Sequence, residues 1–300
     1  MRRAIGALAA VVAATPTCVP KLANDDSLIT APRILAVKAE PAEAAPGTKV
    51  TFTALVAAPG GTVATPALSW SFCTAPKPLT EDNVVSNACL DASSLAGAGA
   101  GTPITTQTPS TGCGLFGPDT TSSAFRPRDP DSTGGFYQPL RVDLAGADSA
   151  FELARIHCDL PDADAAAASA FSSAYALNRN PTLLGLTAGA GGAAVSLGSV
   201  PAGTKVTLEA SWPAASAETF AYFDPVSQSV GWQREAMQVA WYASAGALDT
   251  ESTGRGEEDP ATTSDNGWVA PGAAGTVHRW VVLRDSRGGV DFEEVEVGVE

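Results

Sequence analysis

The sequence predicts an all-β chain of two similar domains joined by a short helix, and three observations predict it. Gly47-Thr48-Lys49-Val50-Thr51 recurs unchanged as Gly203-Thr204-Lys205-Val206-Thr207, each copy opening at a Pro/Gly turn. Both copies then alternate. Val50, Phe52, Ala54 and Val56 oppose Thr51, Thr53 and Leu55, while Val206, Leu208, Ala210 and Trp212 oppose Thr207, Glu209 and Ser211. Period-two patterning rich in β-branched residues marks a strand buried on one face. Composition agrees: only 17% of residues are charged, a balance too neutral for a disordered chain and suited to short strands with many turns. In a chain of 300 residues, an echo so widely spaced indicates two domains rather than a solenoid, whose repeat is much shorter.

The totals also exclude functions. A net charge of −14 argues against nucleic-acid or anionic-membrane surfaces, because phosphate binding needs clustered Lys and Arg. Two histidines are a poor stock for acid–base chemistry or transition-metal binding. No cofactor is implied.

Met1-Arg2-Arg3 followed by the apolar run Ala4–Ala14 reads as an export signal, too short to span a bilayer, and Thr15-Pro16-Thr17 breaks any helix. Cys18 comes next. The segment resembles a bacterial lipoprotein signal, with Thr15 where that motif usually has Leu and Pro16-Thr17 in place of its small pair. The resemblance implies a signal peptide over 1–17, lipidation of Cys18 and, from Val19, sorting to the outer membrane. The rival reading is cleavage after Ala14, with release to the periplasm or cell surface. Of five Cys, one is left over if the other four pair, and lipidation removes that odd thiol. Residues 18–30 read as a tether, and the only membrane contact expected is through the lipid.

In the first domain, 31–160, strands are expected at Pro32–Pro41, Pro46–Val56 and Ala67–Cys73, the last with Leu68, Trp70 and Phe72 on one face. Two more, Phe136–Ala145 and Ala150–Asp159, close it. Residues 74–135 lack sustained periodicity and read as an insertion, for which Cys73, Cys89, Cys113 and Cys158 offer staples. Four Cys allow three connectivities that sequence does not choose between; the expected pairing is Cys73–Cys89 with Cys113–Cys158.

Residues 161–180 read as a helical linker. Asp162 or Asp164 can cap Ala165–Asn178, Phe171 and Tyr175 share a face, and Asn178-Arg179-Asn180-Pro181 ends the helix. So narrow a stripe suggests a weakly packed spacer rather than a partner-binding helix. In the second domain, 181–300, the elements are a strand over Thr182–Ala188, the repeated strand to Trp212, a hairpin of Phe220–Asp224 and Val230–Glu235, a strand at Met237–Tyr242, and a closing pair, Val277–Arg284 and Val290–Val299.

The Trp of the third strand is similar to the core Trp of immunoglobulin-type sandwiches. The run from Trp280 to Val299 resembles the closing hairpin of bacterial Ig-like and PKD-type domains. That resemblance covers most of 181–300 and, less fully, 31–160. It implies two β-sandwiches and specifies fold far more than function.

No nucleophile elbow, HExxH, P-loop or CxxC is present, and Gly97–Gly101 lacks the last Gly of a dinucleotide loop. Asp129 and Asp131 imitate the start of a calcium loop, but Leu140 stands where a bidentate Glu is needed, and an Asp/Gly turn explains them as well. Glu257, Glu258 and Asp259, with Asp249 and Glu251, are the other calcium candidates, against a solvated loop. Trp232, Trp268 and Trp280 are the aromatic candidates for a ligand face, Trp212 and Trp241 being explained by the core. The expectation is a lipid-anchored, non-catalytic envelope protein acting in binding, adhesion or architecture. One alternative is a carbohydrate-binding module. Another is a hydrolase pairing carboxylates such as Asp129, Asp131, Glu257 and Asp259. A protein or glycan ligand remains open.

Overall fold

The computed structural model describes residues 26–78, 80–118, 133–160 and 163–300; Cys18, Asp129 and Asp131 lie outside them. Leaving aside ladders of two or three residues, the first domain runs β1 (Arg33–Glu40), β2 (Lys49–Ala58), β3 (Leu68–Cys73), β4 (Leu95–Ala100), β5 (Ile104–Gln107), α1 (Gly112–Phe116), β6 (Gly135–Leu144) and β7 (Ala150–His157). After α2 (Ala165–Ala174), the second runs β8 (Gly185–Ala190), β9 (Lys205–Ser211), β10 (Thr219–Asp224), β11 (Ser229–Arg234), β12 (Met237–Ala243), β13 (Ser252–Arg255), β14 (Thr263–Val269), β15 (Gly275–Asp285) and β16 (Val290–Val299).

Each domain is an immunoglobulin-like sandwich. Sheet β1–β2–β5 faces β7–β6–β3–β4 in the first, and β8–β9–β14 faces β13–β12–β15–β16 in the second. Side chains of one parity from each sheet fill the space between them. Phe52, Trp70, Phe72 and Leu140 form the first core; Leu208, Trp212, Trp241, Trp268 and Leu283 form the second.

The repeated motif folds the same way twice. Gly47 and Gly203 both hold positive φ, 78° and 69°. The following Thr48 and Thr204 hydroxyls each donate back at 2.6 Å, to the Ala45 and Pro201 carbonyls. The strand then begins at Lys49 or Lys205, and Val50, Phe52 and Ala54 are buried just as Val206, Leu208 and Ala210 are.

Both expected disulfides form, Cys73–Cys89 and Cys113–Cys158. The 74–135 insertion, however, is not wholly irregular. β4 extends the β3 edge and β5 adds to β2. Their sequences, LAGAGA and ITTQ, lie at sheet edges where few side chains are buried, so no alternation marks them. β14 was likewise unmarked, because Ser264 and Asn266 take inward positions beside Trp268.

The domains also do not hang from a spacer. Leu35, Leu55 and Ala57, on the outer face of β1–β2, pack against Trp280, Val282 and Val290 of β15–β16. The Trp280 indole donates to Thr62 Oγ1 at 2.9 Å, and Lys38 pairs with Asp291 at 3.0 Å. That is why Val281 and Leu283 on one side of β15 and Trp280 and Val282 on the other are all buried: one face serves its own core and the other serves the neighbour. Burying each large apolar side chain there contributes roughly 1.5–3 kcal/mol.

The described end of the expected tether is corrected too. Ile29 N–H donates to the Ala243 carbonyl at 2.8 Å, Ala243 N–H donates to that of Ser27 at 2.9 Å, and Ile29 is fully buried. Residues 27–29 thus extend the second domain's sheet. Helix α2 stops at Ala174 rather than Asn178, with Asp164 accepting from Ala167 N–H as its cap. Ala167 and Phe171 pack on Ala221 and Phe223 of the β10–β11 hairpin, which belongs to neither sandwich sheet. The aromatic stripe therefore docks the hairpin instead of spacing the domains.

Candidate functional site: a groove beside the exposed hairpin

The β10–β11 hairpin turns through Pro225–Gln228, with Gln228 at φ 51°. Asp224 takes the Ser227 hydroxyl at 2.6 Å and the Val226 N–H at 2.9 Å, and these donors hold its carboxyl below the usual range. Across the ladder Ala221 faces Trp232 and Tyr222 faces Gly231. The Tyr222 ring lies directly on Gly231, where an added Cβ would come within 2.5 Å of the ring. Trp232 is 60% exposed.

Opposite stands the loop between β13 and β14. Arg255 pairs with Asp259 at 3.3 Å, Asp259 accepts from Ala261 N–H at 2.9 Å, and Arg234 donates to the Asp259 carbonyl. These contacts pin the loop and leave Glu257 and Glu258 exposed on it. Between hairpin and loop runs a groove of about 530 Å³, lined by Tyr222, Trp232, Gln233, Arg234, Glu257 and Glu258 among others.

The structure therefore unites two sets of candidates that sequence kept apart, Trp232 and the pair Glu257–Glu258. It removes others. Trp268 and Trp280 are fully buried, Trp268 donating to the Ala245 carbonyl at 3.2 Å, so neither offers a ligand face. Trp280 was ambiguous because β15 is buried on both faces, and Trp268 because its inward-facing neighbours, Ser264 and Asn266, are polar. Asp259 is committed to Arg255, and among the described residues no group of three or more His, Cys, Asp or Glu is placed to hold a metal ion. His278 bonds Glu294 at 2.7 Å at the domain interface.

Sequence reasoning missed a buried polar junction where the two domains meet α2. Glu43 pairs with Arg155 at 3.1 Å and accepts from Asn178 N–H at 2.8 Å and from the Tyr175 hydroxyl. Burial and the Glu43 carboxylate push the Tyr175 hydroxyl well above its ordinary pKa. Asn178 also reaches Asp285 at 3.3 Å. Arg287 reaches Glu235 at 2.7 Å, Glu218 at 2.9 Å and the Ala176 carbonyl at 3.1 Å. Burial, with the Asp285 carboxylate beside it, pushes Glu235 up to about 7 against the pull of Arg287; burial raises Asp285 as well. The only sequence signal was charge inside a strand or turn, which ordinarily means solvent. These groups are enclosed by protein, so their chemistry is that of a brace.

No family model matches the chain, and no curated protein matches it. Among solved structures it is similar to Escherichia coli alpha-2-macroglobulin activated by porcine elastase, at 10% identity and TM-score 0.25, over 89% of this chain and 22% of that one. The Yersinia pseudotuberculosis adhesin InvE shares 13% identity at TM-score 0.25, over 90% and 58%. Domains 4 and 5 of the S-layer protein SbsC share 12% at TM-score 0.19, over 89% and 98%. The chain thus spans about a fifth of the macroglobulin and somewhat over half of the adhesin. With likeness this distant, the fold rests on the strand pairing itself.

Proposed function

We propose that the chain is an exported, non-catalytic binding protein of the cell envelope, held to the outer membrane by a lipid on Cys18. The observation that supports this most is the mount. Two sandwiches joined through an apolar face and a buried polar brace make a stiff support, and a hairpin outside both sheets carries an exposed indole over a groove. Two disulfides suit an oxidising compartment outside the cytoplasm. Since they use Cys73, Cys89, Cys113 and Cys158, the remaining cysteine, Cys18, is the one the lipoprotein-like signal would modify. The test is metabolic labelling of the expressed full chain with a fatty acid, followed by protease treatment of intact cells. Wild type takes up label and fractionates with membranes; Cys18→Ser does neither. Label on Cys18→Ser, or none on wild type, contradicts the anchor.

A second reading, carbohydrate binding, draws on the same Trp232 beside the Gln233 amide, since a sugar ring stacks on an indole while its hydroxyls take polar side chains. Its test is a glycan array probed with the soluble protein.

A further inference from the structure

We propose that the groove between the β10–β11 hairpin and the 256–262 loop takes a cationic side chain, a Lys or Arg of a basic polypeptide, between the Trp232 indole and the carboxylates of Glu257 and Glu258. The proposal rests on the reading of the chain as a binding protein and names the chemistry of what it binds.

Four observations converge. Trp70, Trp212, Trp241, Trp268 and Trp280 are each at most 1% exposed, whereas Trp232 is 60% exposed, so the protein leaves this indole alone in water. An indole face attracts a cation through its quadrupole, and Trp is the best of the aromatic side chains at this. Tyr222 also lines the groove and its ring lies against Gly231, so any side chain at position 231 would displace it. Glu257 and Glu258 enter no hydrogen bond or ion pair among the described residues, while the adjoining Asp259 is consumed by Arg255 and Ala261. The one basic side chain in the lining, Arg234, already donates to the Asp259 carbonyl, so it braces the loop instead of neutralising the two carboxylates.

Charge decides between ligand classes. The groove presents two unpaired carboxylates on a chain of net charge −14, which repels anions and offers a neutral sugar stacking and hydroxyl hydrogen bonds but no opposite charge to offset the desolvation of the acids. An ammonium or guanidinium meets both features at once, stacking on the indole and pairing with the carboxylates, with Gln233 able to accept a further donor.

The experiment titrates the purified full chain with a short acetylated oligolysine amide, following the change in intrinsic tryptophan fluorescence, and repeats it with a neutral β-glucan oligosaccharide of similar length. The expected result is saturable binding of the peptide, weakened roughly tenfold or more in Trp232→Ala and in Glu257→Gln/Glu258→Gln by loss of the stacked and paired cation, the glutamine variant being read by fluorescence and Trp232→Ala by calorimetry. Binding should also fall as salt rises to about 0.5 M, because the contacts are partly exposed. All three positions lie on the surface, so the variants keep the wild-type melting temperature. A charge-matched control, Glu209→Gln/Glu296→Gln, removes two exposed acids outside the groove lining and should leave binding within about twofold.

Three outcomes overturn the proposal: no saturable binding, a control that loses as much affinity as the groove variants, or Trp232-dependent binding of the oligosaccharide in place of the peptide. The last result assigns the groove to glycans. Export and labelling of Cys18 are measured independently, so a chain that is displayed but ignores the peptide refutes this inference alone, and one that stays in the cytoplasm refutes the wider reading whatever the groove binds.

Discussion

Replacing Arg279 by Met should stabilise the protein. Arg279 lies on β15 with its guanidinium inside the second sandwich, fully buried, and among the described residues none of Nε, Nη1 or Nη2 has a hydrogen-bond partner. Among the described residues its compensation is the Trp268 ring, 4.8 Å away. Burial pulls its pKa down to about 9, well below the ordinary arginine value. At 1.36 kcal/mol per unit, keeping it charged at neutral pH costs on the order of 5 kcal/mol. Stacking on a desolvated indole returns about 2 kcal/mol. Met has similar length, no charge to desolvate, and packs well against aromatic rings. Replacing even a paired buried charge with apolar residues of like volume is often neutral or gains about 1–4 kcal/mol, and Arg279 has no ionic partner to lose, so Arg279→Met should gain ~2 kcal/mol. Urea unfolding at pH 7, read by Trp fluorescence, measures it as a higher midpoint with an unchanged slope. An Arg279→Met protein less stable than wild type would refute the reasoning, because it would mean the guanidinium has a favourable partner that this packing does not provide.

Two further predictions concern the braces. Glu235 is raised to about 7 from 4.5, so the native state holds its proton at pH values where the unfolded chain has lost it. Its contribution is therefore complete below pH 4.5 and lost as pH rises to about 7, with Asp285 adding in the same direction. The groups facing it are Asp285, Arg287 and Glu218, and Glu235→Gln should flatten the fall in melting temperature across this window; an unchanged slope contradicts the assignment. Separately, Cys73→Ser/Cys89→Ser opens a loop whose ends are 16 residues apart and should cost about 3 kcal/mol by chain entropy, seen as a lower urea midpoint.

The parts of the fold legible in sequence were those governed by one buried face. β3, β9 and β12 alternate cleanly because only one side of each meets a core, and β2 does so as far as Ala54, beyond which Leu55 and Ala57 are buried against the other domain. β15 reads less simply: Trp280 and Val282 are buried against the other domain, so their alternation with Val281 and Leu283 carries two meanings at once. This is also why Trp280 looked available to a ligand. β4 escaped notice because Ala and Gly at an edge carry no hydrophobic signal, and the junction of Glu43, Arg155 and Arg287 because charge pairing between residues far apart in sequence leaves no local period. The groove was half legible. Trp232 and Glu257–Glu258 each stood out by residue type, but the register Ala221↔Trp232 and the pinning of Asp259 by Arg255 bring them together only in three dimensions.

The account depends most on the two sandwiches behaving as one stiff body, and differential scanning calorimetry of the full chain tests that directly. Leu35, Leu55 and Ala57 against Trp280 and Val282, with the Glu43 and Arg287 brace beside them, predict a single transition whose calorimetric and van't Hoff enthalpies agree. Trp280→Ala should lower it and begin to split it. Two well-separated transitions in the unaltered protein, each with the enthalpy of one sandwich, would contradict the account.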